Sequence, residues 1–274
     1  MVRKIHRIWV QGEASLEAKE PVYHYYGKLW KSFFPNYTVK LWSEEDYLPL
    51  IEKFSKKLYE IYKTVPSYAC KSDIARYIIL YYEGGLYVDT DTEPLKNYSY
   101  LLEDNKMDLG LVRLNLNKSK LMFAGYEYSN SWIYAKKESP FLYRLLLNIS
   151  LTKFNPDKID IIHYTWNVTG PGALSKSVKF YEMEKDPKVR IFSHSVIEIT
   201  SFANSSEAEL SSQELVKLYP FALNVHRMRA SWVPGAAFFK LLGKLYTLYN
   251  NWSDVFILLS LYFNVYLLYT LSWR

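Results

Sequence analysis

Residues 71–94, KSDIARYIILYYEGGLYVDTDTEP, decide the fold of this chain. Apolar side chains recur at helical spacing in the first half, which predicts a helix that begins near Ser67 and ends near Glu83. The Gly84–Gly85 pair permits the positive-φ turn that ends a helix, and Leu86–Val88 is an apolar run typical of a buried strand. The predicted order is therefore helix, glycine turn, strand and then a pair of acids.

Two pairs of charged side chains flank the glycine turn. Asp89 and Asp91 are two residues apart, so an extended backbone would project both carboxylates to one side, where they could share a divalent cation. Asp73 and Arg76 are three residues apart on one helix face and opposite in sign. Each pair alone is compatible with a simpler interpretation, an acidic turn and a helix-surface ion pair. Their combination in this order favours a functional site.

The composite pattern resembles the signature of the DXD-containing glycosyltransferases with a GT-A fold, K-[AS]-D-[IL]-x-R-[YI], a helix, then G-G-x-Y-x-D-x-D. Here it stands as Lys71–Tyr77 and Gly84–Asp91. The family is the sugar-binding-region family that includes yeast initiating mannosyltransferases and bacterial capsule and surface-polysaccharide transferases. The glucosylating domains of large clostridial toxins are more distant members. The resemblance implies an α/β fold that binds a nucleotide sugar.

The resemblance also assigns expected roles. Asp89 and Asp91, completed by His226, would hold Mn²⁺ or Mg²⁺, and the metal would neutralise the departing diphosphate. Asp73 would orient ribose or sugar hydroxyls, and Arg76 would donate hydrogen bonds to the leaving group. The predicted catalytic set is Asp73, Arg76, Asp89, Asp91 and Asn130. The predicted nucleotide-sugar set is Trp9, Val10, Gln11, Asp73, Arg76, Tyr77, Gly85, Asp89, Thr90, Ser231 and Trp232.

Four stretches outside residues 71–94 carry further parts of the resemblance. Residues 4–9, KIHRIW, look like the opening strand of the family, although Trp9 could equally be a core aromatic and His6 is expected to be structural. Asn130 occupies a position typical of a donor-sugar contact, with turn formation as the simpler interpretation. Residues 169–172, TGPG, resemble a loop that borders the acceptor side. Residues 224–232, NVHRMRASW, resemble the late element that covers the donor pyrophosphate, or form a solvated basic loop with a buried tryptophan.

The remaining patterns agree with a single α/β domain. Alternating strands are predicted at residues 5–10, 37–42 and 108–112, and helices at 21–34, after Ser43, and after Ser139. The order of strands and helices favours an α/β fold over an all-helical one. We therefore predict one GT-A catalytic domain over residues 1–235.

The net charge and the cysteine count limit the kinds of partner and compartment that are expected. The chain has 274 residues, a formal charge of +6 and a pI near 9.0, which suits acidic partners such as nucleotide-sugar phosphates or an anionic membrane surface. No nucleic-acid-binding motif accompanies the charge, so nucleic acid is not expected. One cysteine, Cys70, excludes an internal disulfide and fits a reducing compartment. The charged N-terminal residues do not resemble a signal peptide.

Residues 236–274 differ in composition, and residues 255–273 carry no charge. We predict a helical tail that lies on the inner face of the cell membrane, with a transmembrane anchor or a buried oligomer interface as alternatives. The expected function is retaining transfer of a hexose to a polyprenyl-linked or other glycan acceptor in capsule or surface-polysaccharide synthesis. A UDP-sugar is expected as the donor in preference to a GDP-sugar. A toxin-like protein glycosyltransferase and an inactive nucleotide- or carbohydrate-binding module are the alternatives. The oligomeric state stays open.

Overall fold

The computed structural model describes residues 2–114, 127–152, 164–200 and 210–227. The predictions for Ser231, Trp232 and the tail at 236–274 lie outside these residues, as does the end of the predicted catalytic domain at 235. No helix within the described ranges is long and apolar enough to cross a membrane.

The secondary structure follows the predicted alternation of strands and helices. Ten helices and nine strands, besides a π-helical turn at Thr165–Thr169 and a 3₁₀ turn at Met183–Lys185, are assigned within the described ranges. In chain order they are β1 Lys4–Ile8, α1 Glu13–Lys19, α2 Pro21–Phe33, β2 Thr38–Trp42, α3 Glu44–Phe54, α4 Lys56–Thr64, α5 Tyr68–Glu83, β3 Gly85–Val88, β4 Thr92–Pro94, α6 Ser99–Leu102, β5 Leu109–Arg113, β6 Tyr128–Ala135, α7 Pro140–Leu151, α8 Pro171–Phe180, β7 Val189–Ser193, α9 His194–Ile197, β8 Glu198–Thr200, α10 Ser212–Leu218 and β9 Asn224–His226.

The strands form two sheets. The first sheet has the order β2-β1-β3-β6-β5-β7, with β1 parallel to both β2 and β3, and β6 antiparallel to β3 and β5. Its last strand, β7, runs parallel to β5. The second sheet has the order β4-β9-β8, with β4 antiparallel and β8 parallel to β9. The α/β class predicted from the sequence is thus confirmed.

Helix α5 and strand β3 connect as the sequence predicts. The Ser67 hydroxyl caps the helix by accepting from the Cys70 N–H at 3.2 Å. Gly84 has φ 64° and Gly85 φ 105°, and a Cβ at Gly85 would lie 2.5 Å from the Lys4 carbonyl oxygen. Only glycine permits both this left-handed backbone and this approach to β1. The turn therefore places β3 directly beside β1.

The hydrophobic core lies on both faces of the first sheet. One face is covered by α3, α4, α5 and α7, whose buried side chains include Tyr47, Ile78 and Leu145. The other face is filled by large aromatic side chains, among them Trp30 from α2 and Trp132 from β6. Burial of one large apolar side chain contributes about 1.5–3 kcal/mol. These contacts make the first sheet a rigid support for the residues at the carboxyl end of β3.

The predicted structural histidine is confirmed at His6. The Trp42 indole N–H donates to His6 Nδ1 at 3.0 Å, so Nε2 carries the proton and donates to the Gly84 carbonyl oxygen at 2.8 Å. Burial lowers the pKa of His6 to about 4. His6 is therefore a neutral side chain that ties β1 to β2 and to the glycine turn.

Candidate functional site

The candidate site forms where α5, β6, β9 and the turn after β3 meet. Asp73 and Arg76 come from the first half of α5, which continues into β3 and its acidic turn. Strand β6 pairs with β3, with Val88 opposite Trp132, and so brings Asn130 beside this turn. Strand β9 pairs with β4, with Thr92 opposite His226. The two sheets thus contribute to one group of charged side chains.

Asp73 is almost fully buried and its carboxylate is surrounded by donors. Asn130 Nδ2 donates to Oδ1 at 2.8 Å, and the Thr169 hydroxyl donates to Oδ2 at 2.9 Å. An Arg76 guanidinium nitrogen lies 3.1 Å from Oδ1. Burial raises the pKa of Asp73 to about 6, while the guanidinium and the hydrogen bonds oppose that rise. The predicted pairing on one helix face is confirmed, but the pair is internal and not on the helix surface.

Arg76 is the bridge between α5 and the acidic turn. One guanidinium nitrogen donates to the Asn130 carbonyl oxygen at 2.7 Å and lies 3.1 Å from Asp89 Oδ1. The guanidinium also lies over the Tyr87 ring at 4.6 Å. Burial alone would lower the pKa of Arg76, but Asp89, Tyr87 and Asp73 raise it above its usual range. Arg76 is therefore a permanent cation between two carboxylates.

The acidic pair lies in a turn, and the predicted extended backbone is wrong at this point. Strand β3 ends at Val88, and the Thr92 N–H donates to the Asp89 carbonyl oxygen at 3.1 Å. The reversal is needed because the chain leaves the first sheet here and enters β4 of the second sheet. The turn still brings both carboxylates to one partner, His226.

Asp89, Asp91 and His226 form a group that could hold a metal ion. One ligand atom from each residue can be chosen so that the three lie within 4.8 Å of one another. His226 Nε2 lies 3.2 Å from Asp91 Oδ1 and 3.6 Å from Asp89 Oδ2. Burial lowers the pKa of His226, but Asp91 outweighs it and the pKa is raised to about 10. Two carboxylates and one imidazole fit the preferences of Mn²⁺.

The turn interpretation of Asn130 is wrong, because this residue lies inside strand β6. Asn130 lies where the pairing of β6 with β5 shifts register, between Ser129 opposite Val112 and Ile133 opposite Leu111. Its side-chain amide contacts Asp73 and the Tyr77 hydroxyl, the latter at 3.3 Å. The Tyr77 hydroxyl donates in turn to the Gly170 carbonyl oxygen at 3.5 Å. The Thr169–Gly170 segment is thereby joined to the site.

The other predicted nucleotide residues lie in two places. Val10 and Gln11 line a cleft of about 640 Å³ that continues along Glu44 and Asp46, with Trp9 immediately before them in the chain. Trp9 is half-buried against α1, where its indole N–H donates to the Ser15 hydroxyl at 3.4 Å. Thr90 lies in the acidic turn itself. Gly85 lies at the opposite end of β3, so the structure does not bring it to the carboxylates.

Two buried charged residues at this site were not predicted. Glu198 in β8 accepts from the Ser129 hydroxyl at 3.1 Å and from the Ser131 hydroxyl, and its Oε1 lies 3.9 Å from His226 Nδ1. Burial raises the pKa of Glu198. Arg7 in β1 donates to the Thr90 carbonyl oxygen at 2.8 Å. The available signal in both cases was one charged residue inside an apolar strand sequence, VIEI and IHRI.

Arg7 also contacts α2, the helix behind the acidic turn. The same guanidinium nitrogen that donates to Thr90 donates to the Tyr23 carbonyl oxygen at 2.6 Å. A Cβ on Gly27 of that helix would lie 2.3 Å from the other terminal guanidinium nitrogen. Burial lowers the pKa of Arg7 to about 10, which still leaves it a cation at neutral pH. Arg7 fills the space that Gly27 leaves open.

Arg227, which lies in the stretch that resembles the pyrophosphate-covering element, has protein partners. Its guanidinium lies 2.9 Å from Glu93 Oε2 and donates to the Leu210 carbonyl oxygen at 3.2 Å. The backbone N–H of Arg227 donates to the Asp91 carbonyl oxygen at 3.1 Å. These bonds hold β9 to the acidic turn.

The α/β sheet and its Asp-Thr-Asp turn are those expected of a DXD glycosyltransferase. Residues 22–108 match the sequence model of the family described as "Glycosyltransferase sugar-binding region containing DXD motif". The matched segment contains both charged pairs, and it confirms the resemblance recognised in the sequence. Residues 22–108 thus resemble this glycosyltransferase family, and the chain has the mixed α/β fold predicted for it.

Two named relatives share part of this chain. One is "Inositol phosphoceramide mannosyltransferase 1" of Schizosaccharomyces pombe, 30% identical over 154 residues, which are 55% of this chain and 43% of that protein. Another is "Initiation-specific alpha-1,6-mannosyltransferase" of Saccharomyces cerevisiae, 29% identical over 118 residues, 41% of this chain and 24% of that protein. The chain thus spans less than half the length of these relatives.

A solved structure with a similar arrangement is the ligand-free glycosyltransferase domain from the YGT toxin. Its TM-score is 0.49 at 12% identity, and the match covers 69% of this chain and 80% of that chain.

Proposed function

We propose that this chain is a metal-dependent, retaining glycosyltransferase that moves a hexose from a nucleotide sugar to a lipid-linked glycan acceptor. The convergence of Asp89, Asp91 and His226 beside the buried Asp73–Arg76 pair carries this proposal. Asp73, Arg76, Asp89 and Asp91 lie in the DXD family segment at residues 22–108, which supports it, while His226 lies outside that segment. Neither the acidic turn nor His226 alone would suggest a donor site, whereas the three ligands together do.

Asp89, Asp91 and His226 would hold Mn²⁺, or Mg²⁺ with lower preference for the imidazole. A bound divalent ion would act as a Lewis acid toward the diphosphate of the donor. The chain's own contribution is to fix these ligands before the donor arrives. The Tyr87 hydroxyl donates to Asp89 Oδ1 at 2.6 Å, and Arg76 contacts the same oxygen, which leaves Oδ2 turned toward His226.

Arg76 and Asp73 would act through position and charge. Arg76 is a cation beside the place where negative charge develops on the leaving group, and such preorganised charge favours the transition state. Asp73 is held by Asn130, Thr169 and Arg76, so its remaining lone pairs have fixed directions for a ribose or sugar hydroxyl. Among the residues described, we assign no general base, in agreement with transfer within an ion pair.

The acceptor and the membrane location rest on separate support. A net charge of +6 and the apolar residues 255–273 favour contact with an anionic lipid surface. The Schizosaccharomyces pombe relative is named as a mannosyltransferase for a phosphoceramide lipid, which supports a lipid-borne acceptor. Mannose is therefore the first hexose to test. A role in capsule or surface-polysaccharide synthesis at the inner membrane face completes the proposal.

The first test is thermal stability with a panel of UDP- and GDP-sugars, each with and without Mn²⁺. We expect one nucleotide family to raise the melting temperature of the wild type only with metal, since selective binding stabilises the native state. Asp91→Ala should lose this shift. Asp108→Asn, which removes a surface carboxylate paired with Lys136, is the matched control and should keep it.

The panel also decides between the proposal and its alternatives. If no nucleotide sugar shifts the melting temperature under any metal condition, the transferase proposal fails. A shift without turnover of any glycan acceptor would favour a nucleotide-binding module. Transfer to a protein acceptor would favour the toxin-like function. For the membrane location, full-length protein should cosediment with phosphatidylglycerol vesicles, and equal cosedimentation after deletion of residues 236–274 would remove the role of the tail.

A further inference from the structure

His226 has a second carboxylate on the side that faces away from the acidic turn. Its Nε2 points toward Asp91 and Asp89, while its Nδ1 points toward Glu198 Oε1 at 3.9 Å. His226 and Glu198 come from adjacent parallel strands, β9 and β8. The imidazole therefore lies between the Asp89–Asp91 pair and the single carboxylate of Glu198, and only the pair on the Nε2 side can take a metal together with it.

Hydrogen bonds hold the Glu198 carboxylate in place, but one of its two oxygens has no donor. The hydroxyls of Ser129 and Ser131 donate to Oε1 and also contact each other. The side chain has no exposed surface, and its second oxygen, Oε2, is buried without a hydrogen-bond partner. A buried carboxylate oxygen without a partner is costly, so a protein that retains one has a use for the acceptor.

The Glu198 carboxylate, one oxygen of which still lacks a donor, and the imidazole N–H fit each other chemically. A histidine that ligates a metal through Nε2 must be neutral, and its proton is then on Nδ1. Histidine ligands donate this proton to a carboxylate, a carbonyl or water, which fixes the tautomer and the ring orientation. Glu198 is the carboxylate that the structure places on the Nδ1 side of His226, with 3.9 Å between Nδ1 and Oε1.

We propose that Glu198 is a positioning residue for His226: in the metal-bound state its carboxylate closes from 3.9 Å to hydrogen-bond distance of Nδ1, accepts the Nδ1–H and so keeps the Nε2 lone pair directed at the space between Asp89 and Asp91. This inference rests on the proposed metal-dependent function and deepens it. It gives the second sheet a chemical purpose, because β8 supplies the carboxylate and β9 supplies the imidazole that uses it.

A purely structural role would predict a different result on substitution. Glu198→Leu removes the acceptor and keeps an apolar side chain of similar volume in a buried place. Ser129 and Ser131 still hydrogen-bond to each other after this change. If Glu198 only filled space, its replacement would leave metal affinity unchanged and the fold equally or more stable, as replacement of buried charges often does.

The test is Mn²⁺ affinity of the purified full chain without donor or acceptor, measured by electron paramagnetic resonance or calorimetry. We expect Glu198→Leu to weaken binding about 10–100-fold, the effect typical of losing the group behind a histidine ligand. Glu198→Gln keeps a neutral acceptor and should recover part of the loss. Glu83→Gln, which removes a carboxylate at the opposite end of β3, is the matched control and should bind as the wild type does.

The outcomes separate the two proposals. Failure of the wild type to bind Mn²⁺ would contradict the proposed metal-dependent function. Binding by the wild type with equal affinity in Glu198→Leu would overturn the inference about Glu198 alone. If Glu198→Leu does not fold, nitrogen-15 spectra of wild-type histidines with a diamagnetic ion, Mg²⁺ or Zn²⁺, decide the matter. His226 should then show a protonated Nδ1, and a proton on Nε2 would overturn the inference.

Discussion

Two regions of this molecule build one site in opposite ways. The first, which we call the hub, is the contiguous α5–β3 segment at residues 68–88, and it is packed between the two large apolar clusters of the first sheet. The second is the second sheet, whose three short strands come from residues 92–94, 198–200 and 224–226. Its own apolar cluster has four buried residues, Ile199, Leu215, Ala222 and Val225. The hub is held by the apolar contacts of the first sheet. The second sheet holds His226 of β9 only through pairing with β4 and β8, which are distant in sequence.

The largest expected effect comes from removing the cation of the hub. Arg76→Met leaves Asp73 and Asp89 without their shared partner, and breaking a buried charge pair costs about 3–5 kcal/mol. Urea unfolding should show this loss in the free energy of unfolding. Arg113→Met breaks a half-exposed ion pair with Glu184 and should cost less than about 1 kcal/mol. Similar losses in both variants would contradict the view that the hub depends on its internal charges.

A somewhat smaller effect is expected at the start of the hub's supporting strand, where His6 is buried neutral. Its folded pKa of about 4 lies below the usual 6.5, so its contribution is complete above pH 6.5 and is lost as the pH falls toward 4. This difference corresponds to roughly 3 kcal/mol. Urea unfolding at pH 7.5 and pH 4 should show a smaller pH-dependent loss in His6→Gln than in the wild type. An equal loss in both proteins would show that His6 titrates normally in the fold.

The contrast between the regions explains what the sequence could predict. The helix, the glycine turn and β3 were predictable because propensity, capping and φ requirements all lie within residues 67–88. The burial of the Asp73–Arg76 pair was not predictable from the local sequence, because the partners of Asp73 are distant in the chain. Asn130 is 57 residues and Thr169 is 96 residues from Asp73. The acidic turn was predicted as extended because the local sequence carries no signal that the chain enters β4 of a second sheet. Glu198 has no local motif at all, because its partners Ser129 and His226 lie in other strands.

The smallest of the three expected stability effects is the response to metal, which should differ between the hub and the second sheet. Without metal, amides of the second sheet should exchange with solvent at a lower opening free energy than amides of β3, because fewer apolar contacts hold its strands. Mn²⁺ at one hundred times its Kd should raise the protection of β4 and β9 by up to about 2.7 kcal/mol. Hydrogen exchange followed by mass spectrometry resolves these peptides. Equal protection of both regions without metal would remove the distinction drawn between them.

The contact between Arg7 and Gly27 has a consequence for protein engineering. Replacing a glycine inside a helix with alanine normally adds about 1 kcal/mol of stability, and Gly27 in α2 is an obvious choice for such a change. Here the added methyl would displace the Arg7 guanidinium and, with it, the bond to the Thr90 carbonyl oxygen. An engineer would thus exchange a more stable helix α2 for a looser turn at Asp89–Asp91. A substitution at position 27 of α2 would therefore alter the proposed donor site without touching any of its residues.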